Sequence, residues 1–286
     1  MAPAPIATLL LSGPDRKGLV AGVSGFLFHH HANIVHADQH TDHEEGVFLQ
    51  RVEFELAGMD LAPGEIAAAF GSLAEGLGMA WALRLSAERT RAAILVSREG
   101  HCLIDLLARW KIGELDMEVG FVAGNHPDQG DVARYFGVPF RHLPVTPESR
   151  AEQERELHRA LVAEGIGLVI LARYMQVLSP GIVGAYPNRI INIHHSFLPA
   201  FAGARPYHQA YQRGVKVIGA TAHYATAELD AGPIIEQDVA RVSHRDTVED
   251  LVRKGRDLEK VVLARAVRLH LEDRVLVYGN KTVVFD

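Results

Sequence analysis

Short unbroken hydrophobic runs alternate with spaced hydrophobic positions along the whole chain. Ile6-Ala-Thr-Leu-Leu-Leu11 stops at Ser12-Gly13-Pro14 and reads as a buried strand. Behind the polar Asp15-Arg-Lys-Gly18, Leu19, Val23, Phe26 and Leu27 recur at helical spacing. Asn33-Ile-Val-His36 starts a second strand. Glu44-Glu-Gly46 turns the chain into a third, where Phe48, Gln50, Val52, Phe54 and Leu56 share one face. Pro63 opens a second helix, and Met79–Leu85 reads as a closing strand. Past the polar Ser86–Arg91, apolar runs at 92–96, 117–123, 168–172 and 189–193 alternate with helical patterns at 101–111, 130–136 and 148–164. Lys216–Tyr224 and Pro233–Ala240 read as a late hairpin, followed by a long helix over 247–272 and a small C-terminal hairpin.

These rhythms predict an α/β protein of two domains. The first follows a βαββαβ order, the ferredoxin-like plan, over residues 1–86. Residues 87–91 form the linker, and 92–286 form a Rossmann-like domain with a mostly parallel sheet. Ligands of such sheets bind at the carboxyl ends of the strands.

Composition narrows the function classes. With 48% hydrophobic residues in 286, packed cores are affordable on both sides of the linker. The balance of 29 Lys+Arg against 35 Asp+Glu carries no basic tract, so nucleic acid is not an expected partner. No apolar run reaches the roughly 20 residues that span a bilayer, and no secretory signal is visible, so a cytoplasmic location without membrane attachment is expected. The single cysteine, Cys102, excludes an internal disulfide and reads as a small core residue. His29-His-His31 falls at a helix end, where adjacent side chains diverge, and reads as surface rather than as a metal cluster. No ligand-spaced cluster or glycine-rich dinucleotide fingerprint is present, so neither a metal nor another cofactor is expected.

The chemistry concentrates in two segments. Arg189-Ile-Ile-Asn-Ile-His194 is a buried strand running into a loop, and its alternation puts Asn192 and His194 on one face. Leu229-Asp-Ala-Gly-Pro-Ile-Ile235 then offers the carboxylate of Asp230. An amide can hold a carbonyl oxygen as it becomes anionic, an imidazole can move a proton near neutral pH, and a carboxylate can orient that imidazole or hold a water. Together they suit acyl-group chemistry without a covalent nucleophile. His223 follows the run Val217-Ile-Gly-Ala-Thr-Ala and borders the same region, whereas His195 points away if the strand stays extended.

Asn192-Ile-His-His-Ser-Phe-Leu-Pro199, Gly219-Ala-Thr-Ala-His223 and Leu229-Asp-Ala-Gly-Pro-Ile-Ile235, in that order, resemble the folate-dependent formyltransferase family over residues ~90–280. Ser97-Arg-Glu-Gly-His-Cys-Leu-Ile-Asp-Leu-Leu107, Ile193–Phe201 and Gly203–Ala210 are similar to its deformylating branch. The resemblance implies hydrolysis of 10-formyltetrahydrofolate to formate and tetrahydrofolate, serving purine synthesis and one-carbon folate balance. Asp230, His194 and Asn192 would be catalytic. Met175, Val177, Leu178 and His223 would contact the folate, with the 225–230 loop opposite. The loop Ser97-Arg-Glu-Gly-His-Cys102 has one glycine and an anionic Glu99, a poor cradle for a phosphorylated acceptor, which favours water. The alternative within the family moves the formyl group to an amine. A non-catalytic folate or amino-acid sensor is the alternative outside it.

Gly13-Pro-Asp-Arg-Lys-Gly-Leu-Val20 on the βαββαβ plan resembles the ACT domain, a small regulatory module. This implies an amino-acid effector held by Asp15, Arg16, Gly18 and Asn33, and sheet-to-sheet pairing into a homodimer or homotetramer. Lys17 stands where a proline commonly precedes the glycine.

Overall fold

The computed structural model describes residues 5–199 and 206–285, so part of the Gly203–Ala210 motif, residues 203–205, lies outside the described residues. The chain divides into two compact units, Met1–Arg89 with Glu272–Asp286, and Thr90–Leu271.

The first unit contains β1 (Ile6–Pro14), α1 (Leu19–His29), β2 (Asn33–Asp42), β3 (Val47–Glu55), α2 (Pro63–Leu77) and β4 (Ala80–Leu85). Its sheet has the order β2-β3-β1-β4, and β3 pairs antiparallel with both β1 and β2. Phe48, Val52 and Phe54 lie in a core with Leu9, Leu11, Val23, Leu27, Ile66 and Phe70. Pro63 sits in the first turn of α2, and Gly78 ends that helix with a left-handed φ of 63°.

The structure departs from the expected domain plan at the C-terminal hairpin. The sequence reading ends the second domain at 286, but the strands that become β12 (Val275–Tyr278) and β13 (Lys281–Val284) in full chain order group with the first unit. The reason lies on β3. Leu49 and Arg51, on the face opposite Val52, are also buried, and Arg51 donates to the backbone oxygens of Glu272 and Asp273, each at 2.9 Å. Tyr278 donates to Asp42 at 3.0 Å and Lys281 does so at 3.2 Å.

The second unit contains β5 (Thr90–Val96), α3 (His101–Lys111), β6 (Met117–Gly124), α4 (Gly130–Tyr135), β7 (Phe140–His142), α5 (Arg150–Ala163), β8 (Leu168–Leu171), α6 (Pro180–Ala185), β9 (Ile190–His194), α7 (Pro206–Arg213), β10 (Val217–Tyr224), β11 (Ile234–Arg241) and α8 (Val248–Leu271). The sheet order is β11-β10-β9-β8-β5-β6-β7. Strands β9 through β7 run parallel, and the expected late hairpin adds β10 and β11 antiparallel. Ala92–Val96 and Leu168–Leu171 are buried along their whole length, as a parallel sheet covered on both faces requires. The elements β7, α6 and α7 are short and have no periodic run of their own. From β5 the chain builds outward to β7 and then returns to β8 on the other side of β5. The crevice between the ends of β5 and β8 is therefore the switch point of the sheet. The two loops there are tied together, because Met175 N–H donates to Ser97 Oγ at 2.9 Å. No described helix is long and apolar enough to cross a membrane.

Candidate active site

Asn192 and His194 occupy the last turns of side-chain alternation on β9, and β10 lies beside them antiparallel. Register places Thr221 opposite His194 and His223 opposite Asn192. Between β10 and β11 the chain must deliver a side chain back to this edge within a tight loop. It does so through Asp230 at a left-handed φ of 55° and through Gly232, where a Cβ would lie 1.8 Å from the Tyr224 carbonyl oxygen. The Leu229–Ile235 motif is thus a backbone specification for the position of one carboxylate.

That carboxylate bridges two imidazoles. Asp230 Oδ2 lies 3.2 Å from His194 Nδ1, and Oδ1 lies 3.6 Å from His223 Nε2. His194 first, and His223 second, hold the Asp230 carboxyl far below the usual carboxylate range, outweighing its burial. Because a carboxylate accepts, Nδ1 of His194 carries a proton, and in the neutral ring Nε2 presents a lone pair. That Nε2 is buried and has no hydrogen-bond partner. His223 is fixed differently. Its Nδ1 donates to the Tyr224 carbonyl at 3.0 Å, so in the neutral ring Nε2 accepts from Asn192 Nδ2 at 3.1 Å. One N–H of Asn192 is thereby used, and the other remains.

These groups line a cavity of about 700 Å³. Met175, Val177 and Leu229 line it and are at least half exposed, whereas Leu178 lines it from a largely buried position in the core. All four expected folate contacts, Met175, Val177, Leu178 and His223, line this cavity together with the expected catalytic trio. His195 is different from expectation. Strand β9 ends at His194, so the extended alternation breaks and His195 also lines the cavity, 5.1 Å from the His194 ring. Burial pushes His195 down to about 4, with Arg173 adding to the shift, so it is neutral near pH 7.

A second group of polar side chains, with Glu259, Arg173 and Tyr207 on the same cavity and His101 behind them, was not legible as a site. Glu259, 1% exposed on α8, accepts from His101 Nε2 at 2.7 Å and from Tyr207 Oη at 2.6 Å, and Arg173 Nε lies 3.4 Å away. One signal did exist. Leu251, Gly255, Glu259, Val262 and Leu263 form a single helical stripe, so Glu259 is a charge set among buried positions. Gly255 leaves room for Tyr207, whose Oη a Cβ there would meet at 2.0 Å. His101, Cys102 and Glu259 offer ligand atoms within 4.8 Å of one another. This donor set suits a metal ion poorly, since both Glu259 oxygens are engaged, Arg173 adds a cation and burial raises the Cys102 thiol well above its ordinary value. Cys102 is buried, as expected of a small core residue.

The expected effector residues lie in the first unit. Asp15 and Arg16 are exposed, and Arg16 donates to the Gly76 carbonyl at 2.9 Å. Gly18 caps α1 with φ 94°, and Asn33 donates to Glu55 at 2.9 Å. Of the three adjacent histidines, His30 pairs with Asp60 at 2.8 Å and His29 contacts the Gly25 carbonyl.

Comparison with known proteins agrees with both halves of this description. A family model described as formyl transferase matches residues 90–267, and one described as ACT domain matches residues 7–75. The chain is 56% identical over 279 residues to a formyltetrahydrofolate deformylase of Synechocystis sp., covering 98% of each chain. It is 50% identical to one of Bacillus subtilis, covering 97% of this chain and 93% of that one. A crystal structure of a formyltetrahydrofolate deformylase from Pseudomonas syringae pv. tomato superposes with a TM-score of 0.97 at 48% identity, covering 100% of this chain and 96% of the other. With an ACT domain, a formyl transferase domain and this identity over nearly its full length, the chain belongs to the formyltetrahydrofolate deformylase family.

Proposed function

We propose that the protein is a hydrolase that converts 10-formyltetrahydrofolate and water to formate and tetrahydrofolate, with Asp230, His194 and Asn192 as its catalytic groups. The observation that carries the assignment of roles is the ionised Asp230 beside His194 Nδ1, which leaves Nε2 buried and without a hydrogen-bond partner. Water hydrogen-bonded to His194 Nε2 attacks the formyl carbon while that nitrogen takes its proton. The free N–H of Asn192 donates to the developing oxyanion, a contribution of roughly 2.7–4 kcal/mol per donor. The C–N bond then breaks, the proton passes from His194 to the folate's 10-nitrogen, and the formic acid formed in the cavity gives its proton to water there, leaving formate. Asp230 stabilises the imidazolium between the two steps. Met175, Val177 and Leu229 offer the folate its apolar wall.

Water is favoured over an amine acceptor by the loop after β5. Its Gly100 is crowded, since a Cβ there would lie 2.2 Å from Gln129 Oε1. Its flanking side chains are committed to Glu99–Arg256 at 2.7 Å and His101–Glu259 at 2.7 Å. Glu99 beside the start of α3 and Glu259 against His101 thus leave neither Arg256 nor His101 free for an anionic acceptor. No further cofactor enters this mechanism. In the first unit, Asp15, Arg16, Gly18 and Asn33 are assigned to an amino-acid effector, and pairing of that unit gives a homodimer or homotetramer.

Turnover of 10-formyltetrahydrofolate with no added acceptor tests the reading, with the Asp230→Asn protein beside it. Equal yields of formate and tetrahydrofolate are expected, with kcat reduced about 10²–10⁴-fold in the variant. Activity only on adding an amine would make the protein a transferase, and folate binding without turnover would make it a sensor.

A further inference from the structure

Buried polar atoms without partners are rare in a folded chain, and half of those here belong to two side chains on the cavity. Six buried side-chain nitrogen and oxygen atoms among the described residues lack a hydrogen-bond partner, and three of them are Arg173 Nε, Arg173 Nη1 and His194 Nε2. The other unpartnered arginine nitrogens belong to Arg91 and Arg141, each of which already donates to Glu164 through its Nη2. Arg173 has no such bond. Glu259 sits 3.4 Å from its Nε, near enough for charge pairing but not aligned as a hydrogen bond, and the two Glu259 oxygens already accept from His101 and Tyr207. The arginine is also held at a left-handed φ of 64°, a conformation a non-glycine residue keeps only where its surroundings impose it.

The proposed reaction explains what the two Arg173 donors are for. It turns a neutral formyl amide into an anion beside the ionised Asp230, and two like charges in one cavity repel. Of the arginines on the cavity wall, Arg256 is already paired with Glu99 at 2.7 Å. Building on the hydrolase reading, we propose that Arg173, positioned by Glu259, forms a subsite for the small carboxylate product, formate, and draws it away from Asp230. Formate accepts charge-assisted hydrogen bonds from the guanidinium, which the neutral formyl group of the substrate accepts only weakly. Arg173 thus binds product rather than acting on the reacting bond.

Sodium formate, matched for ionic strength with sodium chloride, is the probe. Its product inhibition is measured in the wild type, Arg173→Gln and Arg173→Lys, and saturation transfer from protein to the formate proton reads binding without turnover. Loss of the charged donors weakens formate by at least about tenfold in Arg173→Gln, with Arg173→Lys between, while KM for the folate moves far less. Formamide, the neutral isostere, serves as a test in the wild type even if Arg173→Gln does not fold. Formate binding that is unchanged in a folded Arg173→Gln protein, or matched by formamide, overturns the subsite. Absent turnover with formate binding intact counts against the hydrolase and not against the subsite. Turnover without formate binding does the reverse.

Discussion

Thr221→Val separates the scaffold of the site from its chemistry, because valine keeps the shape of threonine and removes one hydroxyl. Thr221 is fully buried on β10, opposite His194 in register. Its Oγ1 donates to the Ser196 carbonyl at 2.9 Å and accepts from Leu198 N–H at 3.1 Å and Gln237 Nε2 at 2.8 Å. Ser196 and Leu198 belong to the turn that leaves β9 directly after His194 and His195, so this hydroxyl pins the exit of the strand that carries the site. Gln237 keeps a second acceptor, the Leu198 carbonyl at 3.2 Å, and loses little. The two main-chain groups lose a partner in a buried setting, at about 1–3 kcal/mol each, so a total near 3 kcal/mol is expected. For a unit of this size that corresponds to a fall in Tm of about 6–12 °C. Thermal unfolding and kcat are measured in the wild type, Thr221→Val and Thr221→Ser. Thr221→Ser retains the hydroxyl, so most of the stability and kcat return. A Thr221→Val protein within about 0.5 kcal/mol of wild type, with unchanged kcat, would refute the claim that this hydroxyl holds the turn.

Asp273, at the start of the C-terminal hairpin, is pushed up to about 6 by burial against the pull of Arg84 and Arg51. The raised value means its contribution to stability is present below the unfolded pKa of about 3.9 and is lost as pH rises through about 6. Asp273→Asn does not titrate, so its denaturation midpoint gains on that of the wild type from about pH 4 to pH 7, and a flat difference removes the argument. In the first unit, glycine or methionine is expected to shift the melting temperature and the turnover rate of the full chain, less so in Asp15→Ala, and sedimentation is expected to give a dimer or tetramer. If no amino acid shifts either quantity, the effector assignment is withdrawn.

Local chemistry was legible in the chain itself. Unbroken apolar runs at Ala92–Val96 and Leu168–Ala172 announced strands of a covered parallel sheet, and the alternation Asn192–His194 announced two polar groups on one face at a strand end. Leu229–Ile235 announced a tight loop with a carboxylate, since Asp, Gly and Pro favour such turns. What the sequence could not set out is anything that depends on which distant segments meet. Arg51 and Leu49 gave no hint that residues 272–285 would cover their face of β3, because a covering segment leaves no periodic trace in the strand it covers. His195 turned toward the cavity only because β9 stops one residue earlier, and the end of a strand is set by its neighbours' pairing. Arg173, His101, Tyr207 and Glu259 come from a loop and three separate helices, and each is unremarkable alone. They meet because α8 packs Glu259 inward, where a buried carboxylate must collect donors from whatever lies within reach. The sequence by itself determined which groups are candidates for acyl chemistry and on what kind of sheet they sit. Only the tertiary structure decided which buried charges face one another, because Coulomb and hydrogen-bond energies depend on distances that residue order does not contain.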